Sequence, residues 1–306
     1  MLPVLRPGAP RPALPPAAGT AAPAAKAQPH KATAASSTGA ATLDVAQIVE
    51  RHVAARGGLQ AWHSVQALQY SGKLEAGKGD SYSRSMGFTR ASHKPGSGPG
   101  GAAAADAKPA GDDKAAGAEV LLPFTLDLKR PYQSRLEVQF AGKTSIQIYD
   151  GKQGWKVRPY LNRNDAEPFS TDEIRATQAA HEDLEGPLVD YAAKGTKVSL
   201  VKVEPVGGSS AYKLKLTLKN GTSRHIWIDT KTFLDVKREG VQRHMDGKMH
   251  DVYIYQRDFR KVDGGVTVPF VIETAVVGYP ESHKMLIEKV AVNPKLDDAT
   301  FAKPRV

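Results

Sequence analysis

The chain has no cysteine among its 306 residues. That excludes a disulfide framework, a thiolate metal site and a lipidated N-terminal cysteine. No apolar run approaches the roughly 20 residues that a transmembrane helix needs. The first forty or so residues lack acids and have few branched apolar side chains, while Pro7, Pro10, Pro12, Pro15, Pro16, Pro23 and Pro29 stand among alanines. Such a composition cannot bury enough surface to offset chain entropy. Residues 1–41 are therefore expected to be a disordered tail or a signal region. Ala25-Lys26-Ala27 has the small-x-small form of a cleavage site and Arg6 and Arg11 lie ahead of it, although the segment between is poor in Leu and Val.

The familiar catalytic and nucleotide motifs are missing too. His181-Glu182 sits in a helical pattern, but Glu185 stands where a second zinc-binding histidine would be needed. There is no G-x-S-x-G elbow, and the glycines at 96–101 lie in low-complexity sequence rather than in a phosphate loop. His244, Met245, Met249 and His250 flank an Asp246-Gly247 turn, where mixed polar residues are ordinary, and no metal is expected there. Tyr253, Tyr255 and Phe259 with Arg257 and Arg260 read as core on one side and snorkelling cations on the other. The formal charge of +10 is spread over the chain rather than gathered in a run, so no nucleic-acid partner is expected. Together these absences point away from an enzyme and from any cofactor.

What is present is alternation. In Leu126–Val157, Tyr132, Leu136, Val138 and Phe140 tend to one side and Gln133, Arg135, Glu137 and Gln139 to the other, the period of a half-buried antiparallel strand. Ile146 and Ile148 resume the pattern after Ala141-Gly142-Lys143. The cleanest alternation is Tyr212, Leu214, Leu216 and Leu218 against Lys213, Lys215, Thr217 and Lys219, closed by an Asn220-Gly221 hairpin signal. Further strand signals fall at 65–74, 82–89, 233–239, 249–262, 266–277 and 285–292, for a total of about ten or eleven. Helical spacing occurs in two places. Leu43–Arg56 has Thr42 as a candidate cap and stops at Gly57-Gly58. A mid-chain pair starts with the capping box Ser170-Thr171-Asp172-Glu173 and restarts at Gly186-Pro187. Residues 42–306 thus read as one mainly β domain: a large antiparallel sheet with helices on one face, interrupted by a low-complexity insertion at 91–118.

Several short motifs, in order, resemble the LolA/LolB-like lipoprotein-carrier family and its outer-membrane lipoprotein-sorting relatives. They are Lys129-Arg130-Pro131, Asp150-Gly151-Lys152 before Trp155, Glu185-Gly186-Pro187-Leu188, Ile226-Trp227-Ile228-Asp229, Asp258-Phe259-Arg260 and the ending Asp297 to Pro304. The resemblance implies an unclosed antiparallel β-barrel with an N-terminal helix and a helical lid at 170–195. It also implies a periplasmic, monomeric, non-enzymatic carrier of lipoprotein acyl chains or other lipid. The expected apolar lining is Tyr132, Leu136, Val138, Phe140, Ile146, Ile148, Leu214, Leu216 and Leu218. The lid would present Ile174, Leu184, Leu188 and Val189, and Arg130 would latch it. The alternative is an envelope sensor of the same fold that signals to a membrane-protein partner.

Overall fold

Cross-strand pairing of the alternating segments builds about half of the described residues into one sheet. The structure is a computed structural model that describes residues 43–75, 120–180, 183–280 and 282–305. The expected strand at 82–89, the insertion at 91–118, the tail at 1–41 and the His181-Glu182 pair lie outside the described residues. Two helices open the described chain, α1 (Val45–Ala55) and α2 (Leu59–Ser64). Next come β1 (Ala67–Glu75), β2 (Leu121–Lys129), β3 (Gln133–Phe140), β4 (Lys143–Tyr149), β5 (Gly154–Arg158) and β6 (Arg163–Pro168), and then α3 (Thr171–Ala180). The second half holds β7 (Lys197–Val206), β8 (Ser209–Thr217), β9 (Ser223–Asp229), β10 (Asp235–Glu239), β11 (Arg243–Met245), β12 (Lys248–His250), β13 (Val252–Lys261), β14 (Thr267–Val276) and β15 (Ser282–Val292).

Thirteen of these strands form one sheet in the order β6-β5-β4-β3-β2-β1-β15-β14-β13-β10-β9-β8-β7, while β11 and β12 make a separate hairpin. Every pairing is antiparallel, and β6 and β7 do not pair with each other. The sheet is therefore not closed, as expected of an unclosed barrel, although it has more strands than the ten or eleven read from sequence. Two apolar clusters occupy the helix-covered face. One joins Trp62 and Val65 to Leu68, Phe124, Val138, Val268 and Ile287. The other joins Ile48 and Val49 of α1 to Leu214, Leu216, Ile226 and Ile228.

The N-cap of α1 is Asp44 rather than Thr42, because the Asp44 carboxylate accepts from Gln47 N at 2.8 Å and the Gln47 side chain returns to Asp44 N at 3.0 Å. Gly57 ends the helix at φ 111°, where a Cβ would stand 2.4 Å from the Gly265 carbonyl oxygen. No other residue fits there. Residues 163–168, which carry no alternating pattern, form the edge strand β6. An edge strand with solvent on both faces needs no apolar period, and its Glu167 is paired with Arg158 and Arg163. The expected second mid-chain helix is absent. Residues 184–195 are consecutive turns, because Gly186 and Asp190 take positive φ values of 87° and 54°.

Candidate functional site

A cavity of about 580 Å³ lies between the sheet and the mid-chain segment. Opposed residues of an antiparallel pair share a face. The pairs Tyr70↔Leu126, Leu126↔Leu136 and Ile272↔Met285 therefore put one apolar wall on the side that carries the helices. Leu128 and Ile287 extend that wall. Phe169, with Thr177 and Ala180 of α3, covers one part, and Leu184 and Gly186 cover another. A second cavity of about 430 Å³ adjoins it, lined among others by Leu216, Leu218, Pro187 and Ile226. Tyr132, Asp183 and Arg238 line both. Burial, then the charge and hydrogen bond of Asp183, raise the Tyr132 hydroxyl above its ordinary pKa.

Arg130 stands at the rim, in the turn after β2. Its Nε donates to Val65 O at 2.8 Å, and Nη2 donates to Trp62 O at 3.4 Å and to Glu185 Oε2 at 2.6 Å. Glu185 is 5% exposed, and its other oxygen accepts from Lys194 Nζ at 2.8 Å. The same ammonium reaches Asp183 at 2.6 Å and Gly186 O at 3.3 Å. One guanidinium thus ties α2 and the strand entry to the segment that covers the cavity. Two cations satisfy the Glu185 carboxylate where burial would otherwise be costly.

The far wall is polar. Arg56 Nη1 pairs with Asp235 Oδ1 at 2.9 Å in a nearly dry setting, and Nε donates to Thr267 O at 2.9 Å. With its amide turned to donate, Gln256 reaches Asp235 Oδ2 at 2.7 Å. His52 Nδ1 is 2.9 Å from Phe233 O, which fits a neutral ring donating there. Burial is the main reason its pKa is lowered; Asp235 raises it and Arg56 lowers it further. Burial pushes the Tyr70 hydroxyl up to about 12, with Arg56 and Arg238 opposing. Burial, reinforced by the charge of Arg56, takes Arg238 down to about 10.

The expected lining residues divide. Tyr132, Leu136 and Ile148 line the larger cavity, and Leu216, Leu218 and again Tyr132 the smaller. Tyr132 does so from a turn and Leu218 from just beyond the end of β8. Val138 and Leu214 are fully packed within the two apolar clusters. Ile146 opposes Glu137 and Ile148 opposes Arg135, so in the ladder both stand on the other face of the sheet from Leu136, Ile148 bordering the cavity through its strand. Phe140, at the end of β3, is 43% exposed. Of the expected lid residues, Ile174 is half-buried on α3 and Leu184 reaches the cavity. Leu188 and Val189 are 1% and 0% exposed and belong to the core itself. The polar wall escaped the sequence reading: Arg56 read as the last helical residue, and nothing local links it to Asp235, Arg238 or Gln256.

Trp227, on the opposite sheet face, is 1% exposed beneath Lys213 and Lys237, whose Nζ atoms lie 4.9 and 4.4 Å from its ring centre. Lys237 also sits 3.8 Å from the Tyr253 ring centre, so these aromatics are capped by cations from the same sheet. In the small hairpin His244 opposes Met249. Among the described residues no three His, Asp or Glu are grouped to hold a metal ion, and no helix is long and apolar enough to cross a membrane.

No family model and no curated protein matches the chain. It is similar to three solved structures. One is a LolA-superfamily protein from Nitrosomonas europaea, at 13% identity over 86% of this chain and 99% of that one, with a TM-score of 0.47. Another, from Vibrio parahaemolyticus, is described as an outer membrane lipoprotein-sorting protein domain, at 11% identity over 84% and 95%, with a TM-score of 0.45. The third is a DUF1329-family protein from Desulfovibrio piger, at 12% identity over 85% and 98%, with a TM-score of 0.47.

Proposed function

We propose that the chain is a non-enzymatic envelope carrier that shelters acyl chains, free or attached to a lipoprotein, between the open sheet and its mid-chain cover. The observation that carries this reading is the cavity of about 580 Å³, walled by Leu126, Leu128, Leu136, Ile272, Met285 and Ile287 beneath α3. Its size falls in the usual range of small-molecule sites, roughly 300–1,000 Å³. The energetic need is large. A sixteen-carbon chain in water costs on the order of 12 kcal/mol at about 0.8 per methylene, and an apolar wall removes that cost without covalent chemistry. In this reading α3 is the part of the cover that moves, and Arg130 holds the part that stays. The motifs that resemble the lipoprotein-carrier family agree with it, and they favour the periplasm as the place of action.

The test is equilibrium binding. Delipidated full-length protein titrated with a fluorescent fatty acid or a lipopeptide is expected to show saturable binding that unlabelled lipid reverses. A folded protein that binds neither would sink the carrier reading. Stable capture of a membrane protein in place of lipid would move the assignment to the sensor alternative.

A further inference from the structure

The polar groups around the larger cavity are for the most part spent on one another or on the backbone. Arg56 and Gln256 hold Asp235, Lys194 holds Asp183, Arg130 pairs with Glu185 and Lys129 with Asp298. The Tyr149 hydroxyl donates to Gly151 O at 2.9 Å and the Thr177 hydroxyl to Glu173 O at 2.8 Å. Tyr70 differs. It lines the cavity from β1 and is only 9% exposed, yet among the described residues nothing hydrogen-bonds its hydroxyl. Ser134 and Gln147 line the cavity too, but both are half-buried and within reach of solvent. A hydroxyl as buried as that of Tyr70 is costly to leave without a partner.

We propose that the Tyr70 hydroxyl is a cargo-binding donor, which meets the carbonyl oxygen of an acyl group whose chain lies along the apolar wall of the larger cavity. This rests on the carrier reading and narrows its cargo to chains that begin in a carbonyl, whether ester, amide or free acid. Tyr70 opposes Leu126 on β2 and Val290 on β15, so its ring stands in the apolar wall. The charges of Arg56 and Arg238 both act on its hydroxyl, which puts the tip of the side chain towards the polar wall. The residue thus sits where the two walls meet. An acyl group has the same division, methylenes on one side and a strong acceptor at the head. Burial holds the hydroxyl at about 12, so it keeps its proton at neutral pH and is ready to donate. An ester or amide carbonyl satisfies that donor without bringing a charge into the cavity.

The experiment is competition against a fluorescent acyl probe on the delipidated full chain, native and Tyr70→Phe, a change that keeps the ring and removes only the hydroxyl. The competitors are sixteen-carbon chains. A glycerol ester, an amide and the free acid carry the carbonyl, and a glycerol ether of the same length lacks it. Tyr70→Phe is expected to weaken at least one carbonyl chain about two- to tenfold and to leave the ether as it was. The chain that loses most tells an ester, amide or free-acid source. Unchanged affinity for all three carbonyl chains overturns the proposal. Equal weakening of the ether overturns it as well, since it marks a change in cavity shape rather than a lost hydrogen bond. A second measurement needs no variant. The infrared stretch of an isotope-labelled carbonyl, in the tighter of the ester and the amide, is expected at lower frequency on the native protein than in alkane, and an equal frequency overturns the proposal. If no chain displaces the probe, the carrier reading itself fails.

Discussion

The cover of the cavity is made of two neighbouring pieces attached in opposite ways. Helix α3 buries none of its residues. It is capped by Ser170 and Glu173, whose groups exchange contacts at 2.7 and 3.2 Å, and it is tied to the sheet by the Lys156–Glu173 ion pair and by Arg224 donating to Ala179 O. The segment 183–196 has no helix, yet it places Leu188 and Val189 in the two apolar clusters and Glu185 between Arg130 and Lys194. One piece is tethered by a partly covered ion pair and a hydrogen bond, and the other is anchored in the core. The order is the reverse of what regular structure alone suggests. Burial rather than helicity sets how firmly a segment is held, because exposed ion pairs contribute little and buried side chains contribute much.

The largest expected effect is at the anchor. Leu188→Ala should cost about 2–5 kcal/mol in urea unfolding, whereas Ile174→Ala on α3 should cost under about 1. Equal losses would abolish the distinction. Next comes Glu185→Gln, which leaves Arg130 and Lys194 facing a neutral amide. With those cations about a quarter exposed, a loss of roughly 1–3 kcal/mol is expected in the same assay. Arg130→Leu should be of similar size and should also change the rate at which bound lipid passes to an acceptor vesicle. A transfer rate equal to that of the native protein removes the latch role.

A smaller effect follows from His52, on the helix that packs under Leu188. Its folded pKa lies below the ordinary 6.5. The unfolded chain therefore takes up the proton first as pH falls. Stability is complete above 6.5 and declines as pH drops through that value towards the folded pKa. The urea midpoint at pH 5.5 should be lower than at pH 7.5, and His52→Gln should flatten that difference. An unchanged pH response in the variant would assign it to other groups.

These contrasts mark where the sequence was legible. Strands β3, β8 and β9 could be read because one of their faces is buried, so alternation is imposed on Leu136 and Val138 or on Leu214 and Leu216. Strand β6 could not, since an edge with water on both sides imposes no period on Arg163–Pro168. The first mid-chain helix could be placed from Ser170 and Glu173, as a capping box is local chemistry. The second failed because Gly186-Pro187 is equally good at starting a helix and at making a turn. Only the tertiary pull on Leu188 and Val189 decides between them. Arg130 stood out beside a proline at a strand entry, but its partner Glu185 lies 55 residues away and could not be assigned by spacing. The polar wall was out of reach for the same reason: Arg56, Tyr70, Asp235 and Gln256 come from four different elements.

The smallest effect concerns the tether, and it separates attachment from stability. Burial alone would raise the Glu173 carboxyl, but the hydrogen bond from Lys156 and the contacts with Ser170 outweigh it and hold the group below its ordinary 4.5. A carboxylate so depressed adds stability above 4.5 that disappears as pH falls through its folded value. For this partly covered pair, with the Lys156 and Glu173 side chains 11% and 31% exposed, that amounts to about 1 kcal/mol or less. Lys156→Met should thus barely move the urea midpoint. Its consequence should be local: faster amide exchange across 171–180 at neutral pH, with 188–189 still protected. In the native protein the same pattern should emerge only on acidification below 4.5. If both pieces lose protection together, they open as one unit, and the tethered helix is no separate gate.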